Sequence, residues 1–494
     1  MSFTSFKFFL IVFSTILLYF LVPKKIRWVV LLISSCFFYY LSTGIPQIAV
    51  LLVTVGITWL AGLQIERLDE NKKKKRTFLT IAVIIVLGIL TVIKLSKHVS
   101  FFARVIVPLG VSYYSLSLIG YLVDVYVKKE KAEANFFKLL LYTIYFPRII
   151  QGPISKFRES GPKLIEGHAY SYDNLCNGVQ LIIWGYFKKL VITERTRLFT
   201  GNLFPNLVDF SDSGFTLLFA TFLATVGFYC DFSAYMDIVI GISQIMGIEL
   251  EQNFHLPLFS RTAAEFWRRW HITLGVWFKD YVYIPLGINP KVIKISKWIR
   301  THLGKRAGKA VMTIIPTSIV WLLTGLWHGT GLNYILWGCY WGTIIIISNV
   351  FEPECKKIIR LLHINTESSD WIFIQTLRTN FLFMTGLLIS TFLKLEDLKL
   401  YFRIIIKKIY LRSSLMDTFD QWGLNNDNFI ILLFGVFILW IVEKNSTTGS
   451  FRKKIAGFNP LSRWLIYAGG LLLVLLLGMY GVGYSTADFA YARF

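Results

Sequence analysis

The sequence predicts an all-α polytopic membrane protein: a bundle of about 12 spanning helices of roughly 20 residues each, with re-entrant pieces. Three observations carry this. Of 494 residues, 55% are hydrophobic and 16% charged, with a mean hydropathy of +0.56, more apolar surface than one soluble core hides. The apolar residues come in blocks of 16 or more, not at helical spacing, and lack the short alternation of outer-membrane strands. The Lys and Arg that raise the formal net charge to +23 fall in the gaps between blocks, where helical membrane proteins carry them on the cytoplasmic side. That placement speaks against nucleic-acid binding, since no basic face interleaves with aromatics on which bases would stack.

The blocks read in order as spans Ser5–Val22, Arg27–Leu41, Pro46–Leu63, Phe78–Ile93 and Phe101–Val127. The first lacks a small-residue cleavage pattern and is read as a retained span. Lys24, Lys25 and Arg27 follow it, Lys72 to Arg76 follow the third, and Lys128, Lys129 and Lys131 follow the fifth. The positive-inside rule then puts the N-terminus outside and these connections in the cytosol. The Lys72–Arg76 run could instead be an anionic-lipid patch; its topological role is the reading adopted.

From Phe136 to Lys163 the pattern breaks. Phe136–Tyr145 is too short to cross, and Phe146-Pro147-Arg148 and Gln151-Gly152-Pro153 bring in helix breakers and a charge. A re-entrant segment and a polar interfacial loop both fit, the first because irregular backbone at membrane depth must be buried in protein or line a wet cavity. Val179–Ile192 and Phe215–Gly247 follow. Asp231 and Asp237 in the latter must be paired if buried, either orienting a cationic site group or stapling helices, with stapling preferred.

Glu251 to Pro290 is the region densest in motifs. In EFWRRWHITL, Glu265 stands where it can pair with Arg268 or Arg269 on a helix, with Trp267, Trp270, His271 and Leu274 as the adjoining stripe. The arginines could contact donor phosphates or snorkel to headgroups. A basic cytosolic stretch, Lys291–Lys309, leads to spans Val311–Trp327 and Leu332–Val350, with His328 between them and Gly325, Gly329, Gly331 and Gly338 allowing close helix approach. Spans Trp371–Leu393, Phe429–Val442 and Trp464–Tyr480 complete the series, and a basic loop at Arg452–Arg463 places the tail outside.

An ionisable group at membrane depth costs roughly 2.5 kcal/mol or more when charged and marks a functional site by default. His328 and His271, each in tryptophan-rich surroundings, therefore suggest one shared site. The bland alternative is a neutral histidine satisfied by a backbone carbonyl. The seven histidines include no HExxH pair and the five cysteines no CxxC pair, so neither a metal site nor a disulfide framework is indicated.

Five stretches carry a resemblance: Pro108–Tyr126, Phe146–Phe157, Tyr229–Ile248, Asn253–Leu274 and Gly325–Gly329 (GLWHG). Together they resemble the membrane-bound O-acyltransferase family, and within it the bacterial branch that includes the alginate O-acetylation membrane subunit. The resemblance runs from about Met1 to Trp341 and weakly beyond. It implies a helical bundle around a two-sided reaction chamber in the bacterial cell membrane, passing an acyl group, expected to be acetyl, from a cytosolic thioester to an extracytoplasmic polysaccharide. No bound cofactor is expected; acetyl-CoA or another acyl thioester would be the donor substrate, and an SGNH-type acetyltransferase the outer partner. The family's essential histidine corresponds to His328 and its second to His271, and the surrounding motifs offer Asn253, Trp267, Arg268, Arg269 and Trp327 for donor binding. His328 would be the general base, and His271 would orient the nucleophile or stabilise the oxyanion.

At the C-terminus, Phe489 to Phe494 fits FxYxxF, similar to the terminal motif of this branch and to the small partner peptide of the teichoic-acid D-alanylation system. That makes Tyr491 a candidate acyl carrier, with a simple aromatic anchor as the plain alternative. Leu387–Leu398 departs from the aromatic-arginine pattern expected of the family there. The chain is thus expected to be one integral membrane domain: N-terminal spans over 1–135, a core over 136–350, C-terminal spans over 351–482 and a tail over 483–494. Two rivals remain. One is D-alanyl transfer to teichoic acid; the other is a proton-coupled transporter using Asp231, Asp237 and His328 as a relay.

Overall fold

A computed structural model describes residues 2–96, 107–207, 214–407 and 419–480. Among them the structure is helical: α1 (Phe6–Leu21), α2 (Arg27–Thr43), α3 (Ile45–Arg67), α4 (Lys72–Leu95), α5 (Val111–Tyr126), α6 (Phe136–Ile144), α7 (Phe157–Ile165), α8 (Tyr172–Tyr186), α9 (Glu194–Leu203), α10 (Gly214–Ile245), α11 (Ala263–Arg269), α12 (Ile272–Phe278), α13 (Ile284–Gly287), α14 (Pro290–His328), α15 (Leu332–Val350), α16 (Glu352–Leu361), α17 (Ser369–Thr391), α18 (Leu395–Lys407), α19 (Asn426–Ser446), α20 (Phe451–Ala456) and α21 (Pro460–Leu477). Eight helices are long and apolar enough to cross a membrane, or nine if α15 and α16, bent by 59°, count as one broken span. The expected figure of about 12 is not reached among the described residues: α1 is only 16 residues long and α5, also 16 residues, begins at Val111.

The chain divides into two compact units. One comprises Met1–Glu194, Cys230–Gln252 and Gly449–Phe494, the other Arg195–Tyr229 and Asn253–Thr448. Helix α10 runs through both and is the most enclosed span, with 67% of its apolar window buried against 39% or less elsewhere. Small residues permit this. A Cβ at Gly178 would lie 2.5 Å from the Gly241 carbonyl oxygen, and one at Gly241 would lie 2.6 Å from that of Gly178, so α8 and α10 touch backbone to backbone.

In the first unit, residues 145–155 are irregular yet buried. Their polar groups are met by side chains, as low-dielectric burial requires. Phe146 N–H donates to Ser35 Oγ at 3.1 Å, Tyr235 Oη donates to the Pro147 carbonyl at 2.9 Å and Tyr142 Oη to that of Ser155 at 2.6 Å. Arg148 donates to Ser160 Oγ at 3.0 Å and to the Tyr142 carbonyl. Between the two alternatives left by the sequence, this burial favours the segment enclosed in protein over the interfacial loop.

The same unit buries a charge ladder. After α8 the helix widens into a π-helical turn, Phe187–Thr193, which turns two consecutive lysines inward. Lys188 Nζ lies 2.8 Å from Asp237 and 2.7 Å from Ser233 Oγ; Lys189 Nζ lies 2.8 Å from Asp231 and 2.7 Å from Glu194. Both aspartates therefore staple α10 to this turn.

In the second unit the basic stretch from Lys291 is helical. It forms the first arm of α14, and Gly304, at φ 89°, reverses the chain. Ser296 Oγ donates to the Gly308 carbonyl at 2.7 Å across the reversal. The apolar second arm ends at His328 and crosses α15 so closely that a Cβ on Gly338 would lie 2.5 Å from the Trp321 carbonyl oxygen. Replacing Gly338 by Val is expected to lower stability by about 1–3 kcal/mol through overpacking, read as a drop in the thermal unfolding midpoint of detergent-solubilised protein.

Candidate functional site

The two histidines both belong to the second unit. The local chain explains the position of His271. Helix α11 stops at Arg269; Trp270 is extended (φ −110°, ψ 130°), and His271 is left-handed (φ 46°, ψ 52°) where it caps α12. A short antiparallel bridge between Phe254 and Trp270 holds this break. His255 N–H donates to the Arg269 carbonyl at 2.9 Å, and Ile272 N–H to that of Asn253 at 3.0 Å. Asn253 Oδ1, itself buried, accepts from both the N–H and the hydroxyl of Thr273, each at 2.9 Å. Trp267, Trp270, His271 and Leu274 therefore do not form the expected helical stripe. A non-glycine residue at positive φ is uncommon and costs of order 1–3 kcal/mol, and such strain clusters at functional sites.

The ring of His271 is 2% exposed, and His328, the last residue of α14, is 8% exposed. Both rings lie edge-on to the indole of Trp327, with centroids 6.0 Å away for His271 and 4.9 Å for His328. His328 also meets Trp337 at 4.9 Å. Behind them Trp267 contacts Trp321, Trp341 and Trp337 at 4.9, 5.0 and 5.5 Å. The Trp267 indole N–H is buried without an acceptor among the described residues, so a carbonyl brought into this cluster would find a donor there. The structure thus gathers His271, His328, Trp327 and Trp267 around one aromatic cluster.

The other expected residues sit differently. Arg269 is committed to Glu265 at 2.6 Å and to the Leu256 carbonyl at 3.3 Å, while Arg268 is exposed. Asn253 is engaged in pinning the turn at His271. Tyr491 lies outside the described residues. Among those residues no group of three His, Cys, Asp or Glu is placed to hold a metal. A buried acid that the sequence reading did not single out is Glu443, which accepts from Tyr229 Oη at 2.5 Å, while the Tyr229 ring packs on Trp270. Its signal was present, since a carboxylate directly after the apolar block ending at Val442 is a costly residue to bury.

Burial pushes the His271 imidazole down to about 3 from its ordinary 6.5, keeping it uncharged at neutral pH. Below about 6.5 the unfolded chain takes up a proton that the folded ring refuses, so stability falls with pH by up to about 1.4 kcal/mol per unit. Thermal unfolding between pH 8 and 5 should show a steeper acid loss for the native chain than for His271→Gln. Equal slopes would contradict this.

A family model described as MBOAT, membrane-bound O-acyltransferase family, matches residues 34–303. The chain belongs to this family. The matched range takes in His271 and Trp267, and His328 follows it. Three curated relatives show how the family's members vary. The chain is 29% identical over 363 residues to "Probable alginate O-acetylase AlgI" of Pseudomonas syringae pv. tomato, covering 69% of this chain and 66% of that protein. It is 27% identical over 407 residues to a peptidoglycan O-acetyltransferase of Helicobacter pylori, covering 72% and 71%. It is 28% identical over 252 residues to a teichoic acid D-alanyltransferase of Bacillus subtilis, covering 50% and 60%. The match thus spans just under two thirds of the length of the alginate O-acetylase.

Proposed function

We propose that the protein is an O-acyltransferase that moves an acyl group, acetyl by preference, from a cytosolic thioester to the O-acylation of an extracytoplasmic polysaccharide. The observation that carries this is the convergence of His271 and His328 on the Trp327 indole, inside a family defined by acyl transfer. An acceptor hydroxyl oxygen attacks the thioester carbonyl carbon while His328 takes its proton. The C–S bond breaks, the thiol leaves with a proton, and an ester remains. His271, neutral and fixed by its strained turn, orients the hydroxyl, and the Trp267 N–H meets the developing oxyanion. Asn253 is a positioning residue for His271. In this reading the exposed Arg268 meets donor phosphates, and Trp327 and Trp267 enclose the acyl end.

The bacterial cell membrane, with both termini outside, fits the charge pattern. Lys75 and Lys128, from two of the connections assigned to the cytosol, share the Asp69 carboxylate, so these two connections lie on one face. An outer SGNH-type partner and relay of the acyl group through Tyr491 complete the scheme. The resemblance to a teichoic acid D-alanyltransferase favours one second reading, in which a carrier protein supplies D-alanine.

Purified full-length chain offered labelled acetyl-CoA or a labelled D-alanyl carrier protein separates these donors. Mass spectrometry of the C-terminal peptide tests the relay: the expected result is an acetyl ester on Tyr491, absent from Tyr491→Phe. An unmodified Tyr491 in turning-over protein would remove the relay while leaving the histidine chemistry intact.

A further inference from the structure

Helix α4 opens with five cations in succession, Lys72 to Arg76. Lys75 is buried, reaching Asp69 Oδ1 at 2.6 Å and standing 5.4 Å over the Tyr126 ring. Lys128 closes on the other oxygen of the same carboxylate. The two ammonium groups, Lys128 foremost, hold the Asp69 carboxyl below its usual range, so that acid is fully engaged. Lys72, Lys73 and Arg76 instead line an open hollow of about 660 Å³, together with Thr77, Thr80, Ile81 and Tyr126. Among the described residues no carboxylate lines it. Three cations face one space with no counter-charge from the wall, an arrangement that repels itself until an anion enters.

The hollow continues into an apolar surface. One and two turns beyond Thr77 on the same side of α4, Ile81 is 52% and Ile84 62% exposed. Thr77 and Thr80 donate their hydroxyls to the Lys73 and Arg76 carbonyls at 3.0 and 2.9 Å, which leaves the cations as the anion-binding groups. We infer that this hollow holds the phosphate of an anionic phospholipid, with Lys72, Lys73 and Arg76 around the headgroup and an acyl chain running down Ile81 and Ile84. The general charge bias of cytosolic connections asks only for a count of cations; a walled hollow of one sign that opens onto a greasy face asks for one bound lipid. A soluble phosphate would meet the same cations but gain nothing from that apolar descent.

Native mass spectrometry of the full-length protein with added phosphatidylglycerol or phosphatidylcholine tests this. The native chain should retain one phosphatidylglycerol in preference to phosphatidylcholine. Lys72→Ala/Lys73→Ala/Arg76→Ala should weaken that retention on the order of 10²-fold, as expected for losing three lipid-facing cations. Lys72→Arg/Lys73→Arg, which keeps charge and fold, should retain the lipid. So should Lys291→Ala/Lys294→Ala/Lys297→Ala, which removes as many cations elsewhere. Retention unchanged in the first variant would overturn the inference, as would equal loss in the last one. Displacement of the lipid by millimolar inorganic phosphate would overturn it too, marking a site for soluble anions.

Discussion

Replacing His328 by Ala is expected to lower acyl transfer by about 10²- to 10⁴-fold, the usual contribution of a general base, which is roughly 3–5 kcal/mol of barrier. The loss should fall on kcat, with KM little changed, because the proposed base acts on the proton in flight and not on donor affinity. The chain should still fold: the imidazole is enclosed by Trp327 and Trp337, and α14 ends at this residue. Turnover of labelled acyl donor by detergent-purified variant, matched to native protein for thermal midpoint, is the measurement. A folded His328→Ala protein with native kcat would remove the ring from the chemistry. His271→Ala should cost less, since in the proposed chemistry His271 orients the hydroxyl and does not accept the proton.

The largest structural effect is expected at Lys189. Its side chain is 1% exposed, and its Nζ sits between Asp231 and Glu194. Lys189→Met leaves two buried carboxylates facing each other without their shared cation, and breaking a buried ion pair from one side costs about 3–5 kcal/mol. Little folded protein should be recovered from membranes, judged by monodispersity on size exclusion. Adding Asp231→Leu should restore part of the yield, because removing both members of a pair is far milder than removing one. A well-folded single variant would show the ladder to be dispensable.

How much of this was legible depended on the range of the interactions involved. Span-forming blocks announce themselves because the length of a bilayer-crossing helix is written in consecutive residues, and α2, α3, α4, α17 and α19 fall close to where the blocks put them. The turn that positions His271 was not legible. It depends on Asn253, 18 residues earlier, folding back to pair beside Trp270, and the helical spacing of EFWRRWHITL pointed the other way. The reversal at Gly304 had a signal in the glycine itself, but the surrounding basic residues spoke only to the side of the membrane and not to the path of the chain. Lys188 and Lys189 lie inside the span read over Val179–Ile192, where nothing in the local sequence marks the π-helical turn that aims both at aspartates 42 and more residues away. The aspartates alone pointed to pairing; their partners were visible only in three dimensions. His328 stood out in the sequence directly as a candidate, since one titratable ring in an apolar block is costly to keep.

Proteoliposomes loaded with labelled acetyl-CoA and bathed in polysaccharide put the whole account to its most direct test. The chemistry proposed for the histidine pair predicts ester label on the outer glycan, with no donor released, for native protein and none above background for His328→Ala. Where the outer SGNH-type partner is required, it is supplied outside. Label that reaches the glycan equally with the alanine variant, or only when donor and glycan share one compartment, would contradict it.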